Sequence, residues 1–157
     1  MTITVRGLEE IKTLAGQDLG ASSWLQITQE RIDAFAAATG DHQWIHVDPG
    51  RAAAGPFGGT IAHGYLTLSL VIPLYHELVD IQGVTLSINY GLNKVRFPSP
   101  VRAGGKIRLA AKVVSVEDVP DNGVQMLCDF TVEIDGSAKP ACAAQAVYRH
   151  YASTTQP

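Results

Sequence analysis

The apolar run at residues 65–79 sets the terms for the whole chain. Leu66, Leu68, Leu70, Val71, Ile72, Leu74, Leu78 and Val79 place apolar side chains nearly all the way round a helix. Such a helix has no solvent face to offer, so other structure must wrap it. A membrane-spanning helix needs about 20 apolar residues, whereas this run is shorter, is interrupted by Pro73 and closes on His76-Glu77. It is therefore expected as the buried helix of a globular fold, with no membrane partner. Pro73 has no amide hydrogen and predicts a kink or a restart.

The wrapping is expected from the residues after Gly83, where the pattern changes to short strands at 84–90 and 93–97. Ile107, Leu109, Ala111 and Val113 then alternate with Lys106, Arg108, Ala110 and Lys112, a strand with one wet face. Asp121-Asn122-Gly123 is a hairpin turn signal; Val124, Met126, Cys128, Phe130, Val132 and Ile134 alternate after it, and Asp135-Gly136-Ser137 leads into a last strand at 141–151. Upstream, residues 22–27 read as an extended lead-in. Thr28 offers a hydroxyl N-cap, Ile32, Phe35, Ala36 and Thr39 follow at helical spacing, and Gly40 supplies a left-handed stop. Asp48-Pro49 starts a second short helix that Gly55-Pro56 ends. The fold class expected is α+β: one domain over residues 1–157, core at about 22–152, with an antiparallel sheet wrapped round a central apolar helix.

Composition narrows the function classes. Apolar residues make up 46% and charged residues 17%, a balance that favours an oligomer burying part of its surface. A net charge of −3 counts against nucleic acid as the partner. The N-terminus lacks a basic stretch followed by an apolar run, which predicts a cytoplasmic location. Cys128 and Cys142 lie in apolar strand patterns without metal spacing and read as buried thiols.

Chemistry concentrates between Thr39 and Asp48, a segment held by a helix stop on one side and a helix start on the other. Asp41 and His46 sit there with four residues between them, and in a non-helical turn both can converge on one water molecule, as general acid–base catalysis requires. The competing readings are a turn-capping aspartate and a core histidine, or a zinc site using His42, His46, Asp48 and His63. The stop at Gly40 and start at Asp48 argue against the helix that would put His42 and His46 on one face. His63-Gly64 opens the apolar helix, whose first amide groups would polarise a substrate carbonyl; the plain alternative makes His63 a cap and Gly64 a tight entry. Thr67 lies one turn further in. Lys94, Arg96, Arg102, Lys106, Arg108 and Lys112 fall in a stretch with no acid between Asp80 and Glu117, which reads either as a field for a phosphate-bearing ligand or as a solvated strand face.

Three blocks in order, Thr39-Gly40-Asp41 through Ile45-His46, Ile61-Ala62-His63-Gly64, and Asn89-Tyr90-Gly91 leading into Val95-Arg96-Phe97 and Pro100-Val101, resemble the MaoC-like (R)-specific enoyl-CoA hydratases. The resemblance implies a hot-dog fold and a homodimer or larger assembly, with the thioester site near the subunit interface. It implies reversible hydration of a trans-2-enoyl-CoA to an (R)-3-hydroxyacyl-CoA, with no metal and no cofactor, CoA being part of the substrate. Asp41 and His46 match the family's catalytic pair and Gly64 its oxyanion-hole glycine, while Gln43, Trp44, His63, Tyr65, Thr67, Lys94, Arg96 and Lys106 are the expected substrate contacts. Gln43-Trp44 stands where relatives usually have Asn-Pro, which places Trp44 at the border of the expected acyl pocket. A thioesterase or a non-catalytic acyl-CoA binding subunit on the same fold are the alternatives.

Overall fold

The computed structural model describes residues 1–153. In chain order its elements are β1 (Ile3–Arg6), α1 (Gly7–Lys12), β2 (Asp18–Ala21), β3 (Leu25–Gln26), α2 (Gln29–Thr39), α3 (Trp44–Val47), α4 (Pro49–Ala53), α5 (Gly64–Ser69), α6 (Val71–Leu78), β4 (Val79–Gln82), β5 (Leu86–Arg96), β6 (Lys106–Val119), β7 (Gly123–Ile134) and β8 (Cys142–Tyr151). The apolar run forms α5 and α6, which meet at Leu70. Pro73 explains the break, since it cannot donate to the Ser69 carbonyl four residues back and its ring crowds that carbonyl. Leu66, Leu70, Val71, Leu74, Tyr75 and Leu78 are buried along this helix.

The antiparallel sheet runs in the order β2-β6-β7-β8-β5, with β3 beside β6. Its inner face meets the helix through Ile107, Leu109, Val113, Val124, Met126, Cys128, Phe130, Val132, Cys142, Ala144, Ala146 and Tyr148, all in one core with the helical residues. The β6–β7 hairpin turns on Asp121 (φ 67°) and Asn122 (φ 54°), the positive values that the turn signal demands. This is the hot-dog arrangement, a sheet curled round one helix.

Two expectations need correction. The strands expected at 84–90 and 93–97 are one strand, β5, whose pairing with β8 shifts register between Asn89 and Gly91 and between Leu92 and Lys94; bulges interrupt the alternation without ending the strand. The core also begins earlier than residue 22. Val5, Ile11, Leu14 and Leu19 are buried in it, and β1 pairs parallel with β4, Ile3 opposite Val79. No described helix is long and apolar enough to cross a membrane.

Candidate active site

Helix α2 delivers the acid. Thr28 accepts from the Arg31 amide at 3.2 Å to open the helix, and Gly40, at φ 78°, donates to the Ala36 carbonyl to close it. Asp41 is thus the first residue past a fixed helix end, with its side chain 54% exposed. The next residues correct the expectation of a non-helical turn: the single helical turn α3 forms, tied by Asp48 N–H to the Trp44 carbonyl at 3.1 Å. Because the turn starts at Trp44, His42 lies outside it and no helical His42–His46 face exists.

His46 is buried, and its Nδ1 lies 2.7 Å from the Ile61 carbonyl oxygen. A carbonyl only accepts, so Nδ1 carries the hydrogen and Nε2 keeps its lone pair. Burial holds the imidazole pKa below its ordinary value, the Ile61 hydrogen bond opposing and nearby His63 reinforcing that shift. The carbonyl of His46 accepts from Gln29 Nε2 at 2.7 Å, while Gln29 Oε1 accepts from Thr60 Oγ1. Gln29 therefore ties α2, α3 and the strand-like approach to α5 together. The sequence reading missed it, because a glutamine at a helix start carries the pattern of a solvated residue.

His63 also stands elsewhere than expected. It makes no capping bond to α5 and is buried, its ring stacked on that of His46 with centroids 3.8 Å apart and planes at 23°. Its Nε2 donates to the Asp41 carbonyl at 3.0 Å and lies 4.0 Å from Asp41 Oδ2. Its Nδ1 is buried without a hydrogen-bond partner among the described residues. His63 thereby links the backbone of Asp41 to the imidazole of His46.

Side-chain donor atoms of Asp41, His46 and His63 lie within 4.8 Å of one another. One water with hydrogen bonds of about 2.8 Å can bridge atoms up to about 5.6 Å apart, so the spacing of the trio is within one-water reach. The trio fits a metal ion poorly. The two imidazole planes, stacked at 23° with centroids 3.8 Å apart, do not meet near the rings, so one ion cannot lie in both planes at about 2.1 Å from a nitrogen of each.

Gly64 opens α5 beside this pair. The amide groups of a first helical turn have no acceptor within the helix. A Cβ at Gly64 would come within 3.1 Å of the Phe97 ring, so glycine is what lets that ring close on the helix start. His46, Gly64, Thr67, Phe57, Phe97 and Val101 line a cavity of about 290 Å³ there.

The other expected contacts divide. Thr67 is buried in the cavity wall, whereas Tyr65, 72% exposed, does not line the cavity and meets it only through the edge-on contact of its ring with Phe97. Gln43 is exposed at the residue before α3, and its side chain makes no capping bond. Trp44 does not line the cavity, contrary to expectation: it packs on Gly55, and the Arg51 guanidinium lies 4.3 Å over its ring. The basic run is not one field either. Lys94 and Arg96 lie on β5, but Lys106 lies on β6, three strands away and so about 14 Å across the sheet. Arg108 pairs with Glu133 at 2.6 Å, and Arg102 donates to the Gly58 carbonyl.

Residues 10–131 match the family model described as MaoC like domain. The chain is 53% identical over 149 residues to 3-hydroxyacyl-thioester dehydratase Z of Mycobacterium tuberculosis, covering 95% of this chain and 99% of that one. It is 44% identical over 142 residues to nodulation protein N of Rhizobium leguminosarum bv. viciae, 87% and 86% covered. Among solved structures, the (R)-hydratase of A. caviae superposes with a TM-score of 0.67 at 24% identity, covering 88% of this chain and 96% of that one, and so supports the fold. With the family model spanning most of the chain and these relatives matched nearly end to end, the protein belongs to the MaoC-like dehydratase family.

Proposed function

We propose that the protein catalyses reversible hydration of trans-2-enoyl thioesters to (R)-3-hydroxyacyl thioesters, CoA being the carrier. The observation that supports the reading is that Asp41, His46 and His63 each bring a side-chain donor atom within 4.8 Å of one another, while His46 and Gly64 line the same cavity. The thioester carbonyl accepts from the Gly64 amide, which draws electrons from the double bond and makes C3 electrophilic. Water held by Asp41 and His46 attacks C3 as His46 Nε2 takes its proton; the electron pair moves onto the thioester oxygen, and the imidazolium returns a proton to C2 as the carbonyl reforms. Asp41 stabilises that imidazolium. No metal takes part, and Arg96, beside Phe97 at the cavity, serves the CoA phosphates. The working form is a homodimer.

Crotonyl-CoA is the test substrate. A hydratase removes the conjugated absorbance without releasing thiol and gives the (R) product; thiol release marks a thioesterase, and binding without either change marks an assembly subunit. Asp41→Asn, which preserves shape but cannot hold the charge, is expected to stay folded, bind acyl-CoA and lose about 10²–10⁴ in kcat. A folded variant with near wild-type turnover would return Asp41 to the role of a loop cap.

A further inference from the structure

Residues 41–43 carry the candidate acid, yet little holds them. Gly40 closes α2 before them, and α3 begins after them at Trp44. Within the segment the Gln43 amide reaches Asp41 Oδ1 only at 3.4 Å, longer than a well-made hydrogen bond. Among the described residues, one hydrogen bond reaches this segment from a distant part of the chain. It comes from His63, whose Nε2 donates to the Asp41 carbonyl at 3.0 Å.

The same residue is tied to every other part of the site. Its ring stacks on His46 with centroids 3.8 Å apart and packs against Phe35 of α2 with centroids 4.9 Å apart. Its carbonyl accepts from the Thr67 amide at 3.1 Å, which opens α5 at the neighbouring Gly64. His63 nevertheless does not line the cavity that holds His46 and Gly64, so whatever it contributes passes through those groups.

Stability alone does not account for a histidine here. With Nε2 donating, Nδ1 keeps a lone pair, and it is buried without a hydrogen-bond partner among the described residues. A buried acceptor without a donor costs folding free energy that an apolar side chain of similar size avoids. Such local losses collect at functional sites. We propose that His63 is the positioning residue of this site: its Nε2 hydrogen fixes the main chain of Asp41 and its ring backs the His46 imidazole, so that acid and imidazole are held together for the water they share. The proposal rests on the hydratase reading of that pair.

Without the Nε2 hydrogen, the Asp41 side chain, 54% exposed, keeps only the long Gln43 contact and turns toward solvent. A displacement of about 1 Å can cost about 10² in rate. Because His63 does not border the cavity, the loss falls on kcat and leaves KM in place.

His63→Gln and His63→Met separate the hydrogen bond from bulk. Glutamine Nε2 stands as many bonds from Cβ as the imidazole Nε2 does and can donate to the Asp41 carbonyl, whereas methionine has the same length without a donor. With crotonyl-CoA, His63→Met is expected to lose about 10² in kcat with KM within about threefold of wild type, and His63→Gln to be at least about tenfold faster than His63→Met. The two variants are expected to melt within about 5 °C of each other. Equal kcat in both, or a His63→Met loss confined to KM, overturns the proposal. Should His63→Met fail to fold, His63→Phe, a ring without a donor, takes its place. Backbone NMR order parameters at Asp41 and His42 need no turnover: they are expected near about 0.85 in wild type and His63→Gln and below about 0.6 in the donorless variant, and equal values overturn the positioning role. Wild-type protein that leaves crotonyl-CoA unhydrated overturns the hydratase reading instead, and the order parameters then decide what His63 does.

Discussion

The hydrogen bond from His46 Nδ1 to the Ile61 carbonyl decides which nitrogen of the imidazole is open to chemistry. With Nδ1 committed, Nε2 is the base in the proposed reaction, and burial keeps it unprotonated at neutral pH. The acid limb of kcat/KM is accordingly expected to centre below the ordinary histidine value of about 6.5, with activity level through pH 7; a limb centred above that value would mean that another group controls the reaction. His150 gives a second pH effect, this time on stability. Its folded pKa of about 4 lies below the unfolded 6.5, so as pH falls the unfolded chain takes the proton first and gains. The difference of about 2.5 units corresponds to about 3 kcal/mol. This stability is fully present above pH 6.5, declines below it and is gone below about 4. Chemical denaturation of wild type and His150→Leu at pH 7 and pH 4 checks it: the wild type should lose about 3 kcal/mol more than the variant. Equal losses would show that His150 titrates normally.

At the scale of elements, Gly64 is where helix, strand and site meet. An alanine there would push its methyl against the Phe97 ring, which would have to yield by a few tenths of an ångström. Phe97 is 41% exposed and has room to move, so Gly64→Ala is expected to fold but to lose about 10² in kcat as the thioester oxygen shifts from the helix amide. A kcat within threefold of wild type would take the amide of Gly64 out of the mechanism. The element scale also shows what a sequence makes legible. Helix α2 with both caps, the hairpin at Asp121-Asn122, the restart before Pro73 and the closeness of Asp41 to His46 were all readable, because each is written in residues close together in the chain. Strand β1 and the pairing of Ile3 with Val79 were not, since a four-residue strand whose partner lies on the far side of the helix leaves no local pattern. Gln29 and the buried stack of His63 under His46 were unreadable for the same reason: their partners come from other elements.

Across the whole molecule, the feature left unanswered within one copy of the chain is the free edge of β5. Strand β5 ends the sheet order and runs for 11 residues, yet its first seven, Leu86 through Leu92, carry no charge, and Leu86, Ile88, Tyr90 and Leu92 are exposed. Exposed edges are normally blunted by lysine, proline or a covering element, because free amide and carbonyl groups recruit other strands. Here Lys94 and Arg96 guard only the end nearest the candidate active site. A second copy pairing β5 with β5 about a two-fold axis satisfies both edges at once. The double variant Leu86→Asp and Ile88→Asp places four like charges at such a contact while leaving Asp41, His46 and Gly64 untouched. Sedimentation is expected to show a dimer for wild type and a monomer for the variant. A variant that still sediments as a dimer would place the interface on another face of the molecule.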